Sequence, residues 1–205
     1  LETAATQVST VTGAPQAEWL YLKANAERQL KKDDAAIEDY AVLLQQHPGS
    51  PLAGSAAYEQ ACLLFARGRH ADVVAVAAAI GPTNAAGVDV YWMLGESHAT
   101  LKQSEPALAN YRKLVEQYPQ HERAPIALFR SGKLLQDAGR LEEASGLYRR
   151  LAKEYPQHAL AGDALAASAE CQVRRGQKAE AVADWQALGQ GHTNYAGLDQ
   201  SLFAK

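Results

Sequence analysis

The chain has 205 residues, 47% of them hydrophobic and 21% charged, and a formal net charge of −3. Such a composition belongs to globular chains that bury a core. The mild negative charge argues against a nucleic-acid partner, which calls for a basic stripe to displace phosphate counterions, and no run of about 20 apolar residues is present to insert into a bilayer.

The first stretch, Leu1 to Ala14, is rich in Thr, Ala and Ser. It carries neither the basic nor the apolar block of a leader and reads as a processed or trimmed start, so residues 1–15 are expected to form a flexible segment. The remainder is rich in Ala, Leu, Gln and Glu, which lose little entropy in a helix, and an all-α protein is expected.

Tyr118-Pro119-Gln120-His121 recurs 37 residues later as Tyr155-Pro156-Gln157-His158. The similarity extends upstream: Gly95, Lys102, Ala107 and Tyr111 have Gly132, Gly139, Ala144 and Tyr148 as their counterparts at the same offset. A fixed period of this length signals a solenoid, in which each repeat buries its apolar face by stacking on its neighbours. Alignment on the paired prolines gives five repeats beginning near Ala17, Gly54, Val88, Pro125 and Gly162 and filling residues 16–193.

Each repeat reads as helix A, a tight turn, helix B and a longer connection. A small residue marks the place where A and B cross: Ala24, Ala61, Gly95, Gly132 and Ala169. The turn then carries Lys31, Gly68, Lys102, Gly139 and Gly176, at a helix-stop position where glycine reaches positive φ without strain and lysine does not. Helix B opens on acidic or polar residues such as Asp33, Asp34, Ser104, Glu105, Glu142 and Glu143, which complement the helix dipole. It continues through a second small site (Ala36, Val73, Ala107, Ala144, Ala181) and a large one (Tyr40, Ala77, Tyr111, Tyr148, Trp185). In the second repeat the apolar run Val73 to Ile80 is expected to be a buried helix, stopped early at Gly81-Pro82. Pro119 and Pro156 end helix B because proline disfavours helix at the residue before it, each corner Tyr is expected to pack beneath its corner, and His121 and His158 to be solvated there. Residues 194–205, with Leu202-Phe203 in the register of Leu128-Phe129, are expected to form a short capping helix or the start of a sixth repeat.

No catalytic pattern emerges. Gly132-Lys133 is followed by Leu134 where a phosphate-binding loop needs Ser or Thr, no pair of the six His has the spacing of a helical metal site, and Cys62 and Cys171 stand three repeats apart. The expectation is a protein that is not an enzyme and takes neither cofactor nor metal.

The sharpest functional signal lies on helix A. Its fourth, eighth and eleventh positions form the stripe that meets helix B, and the fifth, ninth and twelfth form the adjoining stripe. The fifth position holds Tyr21, Tyr58, Trp92 and Phe129 in four successive repeats. These rings either pack against the next repeat or line the concave groove as anchors for an extended or helical peptide, with Asn25, Arg28, Glu96, Lys133, Asp137 and Glu170 supplying polar contacts on the same wall.

The small crossing residue, the Ala-then-Tyr pattern of helix B and the proline closing each repeat resemble tetratricopeptide repeats. That resemblance implies a right-handed α-solenoid and a non-catalytic protein-interaction scaffold holding a protein or peptide partner in its concave groove. The 37-residue spacing, with Tyr-Pro leading into Ala-Pro-Ile-Ala-Leu-Phe or Ala-Gly-Asp-Ala-Leu, resembles the bacterial cell-envelope group that includes the TolA-binding protein of the Tol-Pal system. It implies a periplasmic or outer-membrane-associated assembly. The alternatives are a cytoplasmic peptide-sensing regulatory domain and a helical accessory domain of a larger polysaccharide-export or peptidoglycan-processing protein.

Overall fold

The computed structural model describes residues 14–77, 79–80 and 87–191, and among them all regular structure is helical. Two compact units divide the chain, Leu1–Gln103 and Ser104–Lys205. The first holds α1 (Ala14–Gln29), α2 (Asp33–Gln46), α3 (Ala53–Ala66), α4 (His70–Ala77) and α5 (Gly87–Thr100). The second holds α6 (Ser104–Gln117), α7 (Arg123–Asp137), α8 (Leu141–Glu154), α9 (Leu160–Arg174) and α10 (Lys178–Gly191). Within each unit every helix packs on the next, and successive A helices also touch, α3 with α5 and α7 with α9. This is the packing of an α-solenoid, with two helices to each expected repeat. Helix α1 starts at Ala14, so Ala14 and Pro15 belong to it and not to the expected flexible segment; the rest of that segment and residues 194–205 lie outside the described residues.

The A–B turn is built identically five times. Lys31, Gly68, Lys102, Gly139 and Gly176 all adopt positive φ, between 58° and 75°. The amide that follows each closes back on helix A: Lys32 on the Glu27 carbonyl, Arg69 on Leu64, Gln103 on His98, Arg140 on Leu135 and Gln177 on Gln172, at 2.8–2.9 Å. That bond caps the otherwise orphaned carbonyls at the helix end. Within each unit, sharp reversal at this point lets a short turn lay helix B back along helix A.

The core is made of the small and large sites seen in the sequence. Ala24, Ala61 and Ala169 at the crossing and Ala36, Val73, Ala107, Ala144 and Ala181 on helix B are all without solvent exposure. Tyr40, Tyr111 and Tyr148 are buried, with Leu43, Leu114 and Leu151 beneath them. The Tyr148 ring lies so close to Gly132 that a Cβ there would stand 2.6 Å from it, so any larger residue at this crossing would have to displace the ring.

Two expectations are corrected. The second repeat's helix B begins at His70 and ends at Ala77, and among the described residues of its apolar run only Val73 is buried, so these residues do not make the expected buried helix. The corner histidines are half-buried helix caps and not solvated bystanders: His121 Nδ1 accepts the Arg123 amide at 3.1 Å and His158 Nδ1 accepts the Leu160 amide at 3.2 Å. Ser50, which stands at the same place in the first corner, accepts the Leu52 amide through Oγ at 3.2 Å. Each of the three thus satisfies a free N–H at the start of helix A. The corner tyrosine also links repeats, with the Tyr155 hydroxyl donating to the Pro119 carbonyl at 2.8 Å.

Candidate protein-binding site

The fourth and fifth positions of helix A part company as the helical period requires. Leu20, Ala57, Leu128 and Leu165 at the fourth position are buried, with Tyr91 of the third repeat half-buried, whereas Tyr21, Tyr58, Trp92 and Phe129 at the fifth are each half-buried. A ring in that position belongs partly to the core and partly to the surface.

In the first unit, Tyr21 tilts against Tyr40 with centroids 6.0 Å apart. The Tyr58 hydroxyl donates to Asp89 Oδ2 at 3.2 Å, tying α3 to α5. Burial pushes the Tyr58 phenol well above its ordinary value, and the neighbouring Cys62 and Asp89 push it further in the same direction. The Asn25 amide is spoken for, since its Nδ2 donates to the Tyr21 carbonyl at 2.9 Å and its Oδ1 accepts the Tyr40 hydroxyl at 3.0 Å. Arg28 pairs with Glu59 at 2.9 Å, joining α1 to α3. Tyr21, Asn25, Arg28 and Tyr58 therefore form one preorganised surface, on which Asn25 acts as internal support. Glu96, on α5 with Trp92, is half-buried.

In the second unit, Phe129 tilts on Tyr148 at 5.4 Å. Lys133 and Asp137 pair at 3.3 Å one turn apart on α7, both well exposed, and Glu170 is exposed on α9. The Tyr148 hydroxyl donates to Gln136 Oε1 at 2.9 Å, the counterpart of the Tyr40–Asn25 bond. In both units a buried helix B tyrosine thus holds the helix A wall through one ring contact and one hydrogen bond.

The wall offers binding chemistry and little that reacts. Burial raises the Cys62 and Cys171 thiols above their ordinary value, the opposite of nucleophile activation. His70 Nδ1 lies 3.1 Å from Ser97 Oγ, but Ser97 has no solvent exposure and the pair joins α4 to α5. Among the described residues no group of three or more His, Cys, Asp or Glu could hold a metal ion, and no helix is long and apolar enough to cross a membrane. A second concave feature, missed by reasoning on helix A, opens between α6 and α8 over α7; its apolar lining includes Leu108, Val115, Leu128, Leu135 and Leu147. The signal for it lay in comparing the same helix B positions between repeats.

Residues 89–121 and 126–158 match one tetratricopeptide repeat model and residues 1–51 match another. The chain belongs to the tetratricopeptide repeat proteins. No curated protein sequence matches it. Among solved structures, this tetratricopeptide protein is similar to YrrB, described as a TPR protein with an unusual peptide-binding site, at 19% identity over 92% of this chain and 91% of that one, with a TM-score of 0.64. It is similar to MamA at 14% identity over 89% and 95% of the two chains, with a TM-score of 0.66. A MamA fragment from Desulfovibrio magneticus RS-1 aligns at 12% identity over 88% and 97%, with a TM-score of 0.60. At such identities the likeness is one of fold.

Proposed function

We propose that the chain is a non-catalytic scaffold that holds a peptide or protein partner against its helix A wall. Tyr21, Tyr58 and Trp92 are the anchors in the first unit and Phe129 is the anchor in the second. The observation that carries this reading is the half-burial of all four rings, three of them beside a fully packed fourth-position neighbour. Tyr21, Tyr58 and Phe129, held by Tyr40, Asp89 and Tyr148 respectively, lose little further freedom on binding, which favours affinity, and aromatic residues with Arg are the usual anchors of interfaces. Arg28, Glu96, Lys133, Asp137 and Glu170 supply a rim of mixed charge suited to reading side chains, whereas Asn25 keeps the tyrosines in place. The peptide-binding site ascribed to YrrB is in keeping with this role.

We place the scaffold in a bacterial cell-envelope assembly, a proposal that rests on the resemblance of the Tyr-Pro corners to the envelope group. The test is affinity capture from separate envelope and soluble extracts, with the wild type compared against Trp92→Ala combined with Phe129→Ala. Partner loss with little change in helicity or melting supports the wall. Collapse of melting would make the rings core residues and sink the proposal, while a partner found only in the soluble extract would move the protein to the cytoplasm.

A further inference from the structure

A cavity of about 470 Å³ opens in the second unit, walled by the two B helices α6 and α8 and floored by α7, on a different stripe of α7 from Phe129. Leu128 and Leu135 form its floor and Leu108 and Leu147 its sides, while its rim carries exposed Arg112 and Glu116 together with Arg140, which pairs with Glu105 and Glu143, and Arg150, which pairs with Glu154. The next joint along the chain has the same three-helix construction in α8, α9 and α10, and there the equivalent space is filled. Ser145, Gln172 and Asp184 stand 37 residues after Leu108, Leu135 and Leu147. Gln172 Nε2 donates to Ser145 Oγ at 3.3 Å, and Ser168 Oγ donates to Asp184 Oδ2 at 2.6 Å. Arg149 Nε donates to Asp184 Oδ1 at 2.7 Å while its Nη2 reaches the Glu180 carbonyl at 3.2 Å.

Arg112 is the counterpart of Arg149, 37 residues earlier, but the counterpart of Asp184 is Leu147. The cationic half of the plug is thus kept and the anionic half replaced by an aliphatic side chain. Ser131, the counterpart of Ser168, turns its hydroxyl back to the Ala127 carbonyl at 2.8 Å. The emptied joint is an apolar trough at whose edge Arg140 and Arg150 are engaged by glutamates of this chain, whereas Arg112 has lost the carboxylate that Arg149 meets.

We propose that this trough docks an acidic–apolar peptide. One aliphatic or aromatic side chain enters the leucine floor, and an Asp or Glu beside it in the peptide meets Arg112, as Asp184 meets Arg149 one joint on. A planar guanidinium is suited to a carboxylate, and the apolar contact supplies burial that the charge pair alone would not. A polypeptide is the occupant to which the neighbouring joint points, because there the same space is filled by side chains of this chain.

The experiment is panning of a phage-displayed dodecapeptide library on the immobilised full chain, followed by fluorescence-anisotropy titration of fluorescein-labelled enriched peptides. Enrichment of Leu, Ile or Phe adjacent or next but one to Asp or Glu is expected. Their Kd should rise by about tenfold or more in Arg112→Glu and in Leu147→Asp, a difference well outside measurement error, and stay unchanged in Trp92→Ala, which reports on the helix A wall. Leu147→Asp sets a carboxylate near Arg112 and so closes the trough with the fold's own plug; Arg112→Glu, at an exposed position, keeps the test valid should the first variant fold poorly. The proposal is overturned by the absence of an acidic–apolar consensus, or by peptides indifferent to both trough variants. It is also overturned if sodium decanoate binds with the same dependence on Arg112 and Leu147 and displaces the peptides, which would make a small amphiphilic acid the ligand.

Discussion

Tyr148 lies across Gly132 with its ring edge 2.6–2.9 Å from where a Cβ would stand. The crossing of α7 and α8 is therefore closer than an alanine permits. Ala24, Ala61 and Ala169 occupy the same place in other repeats and are themselves buried, so the demand is not common to every joint. Gly132→Ala should destabilise the protein by about 1–3 kcal/mol through overpacking, despite the better helix propensity of alanine. Urea denaturation measures it; a gain in stability would mean that the Tyr148 ring swings aside at no cost.

Lys31 and Lys102 hold φ of 59° and 58° where the other three repeats use glycine. A side chain in the left-handed region costs roughly 1–2 kcal/mol, and part of the relief on removing it is lost to the greater freedom of glycine in the unfolded chain. Lys31→Gly and Lys102→Gly should each stabilise by about 1 kcal/mol. Both lysines are exposed, so thermal melting reads the backbone effect directly, and Lys31→Ala, which keeps a Cβ, should show none of it.

These turns show why so much of the fold was legible. The alignment placed lysine in a glycine column, and a column shares one backbone conformation because the fold is a stack of equivalent repeats. The crossing residues and the helix B tyrosines followed by the same logic. What escaped was what depends on the exact course of the chain. His121 and His158 sit in corners that look solvated until the backbone turns their Nδ1 onto the next helix. Asn25 falls on the wall by helical period, yet Tyr40 and the Tyr21 carbonyl occupy its amide. The trough escaped because it arises from a mismatch between columns, Leu108, Leu135 and Leu147 standing where the next repeat has Ser145, Gln172 and Asp184. Only the packing shows that those three positions share one space.

The corner caps give a third prediction. Ser50 caps helix A through a hydroxyl as His121 and His158 do through Nδ1. Loss of such an acceptor costs about 0.5–2 kcal/mol. His158→Ala should therefore lower the unfolding free energy by about 1 kcal/mol, and His158→Ser should restore most of it. Equal loss in the two variants would show that the histidine acts by packing and not by capping.

The last prediction concerns a charge the fold tolerates poorly. Lys23 on α1 is shared between Asp39, at 2.7 Å, and Glu27, at 3.6 Å. Burial, and after it the adjacent Asp39, raise the Glu27 carboxyl above its ordinary value, and the pull of Lys23 only partly offsets them. A group that holds its proton more tightly in the folded state stabilises the fold below its unfolded pKa, about 4.3 for Glu. That contribution is lost as pH rises through the folded value, because the unfolded chain then binds fewer protons than the native one. At neutral pH the charged Glu27 is therefore a net cost. Glu27→Gln, which keeps the shape and removes the charge, should raise the melting temperature at pH 7, and the difference from wild type should shrink towards zero as pH falls below about 4. Melting curves of the two proteins from about pH 3 to pH 8 make the comparison. A variant less stable than wild type at pH 7 would show that the contact with Lys23 outweighs the burial.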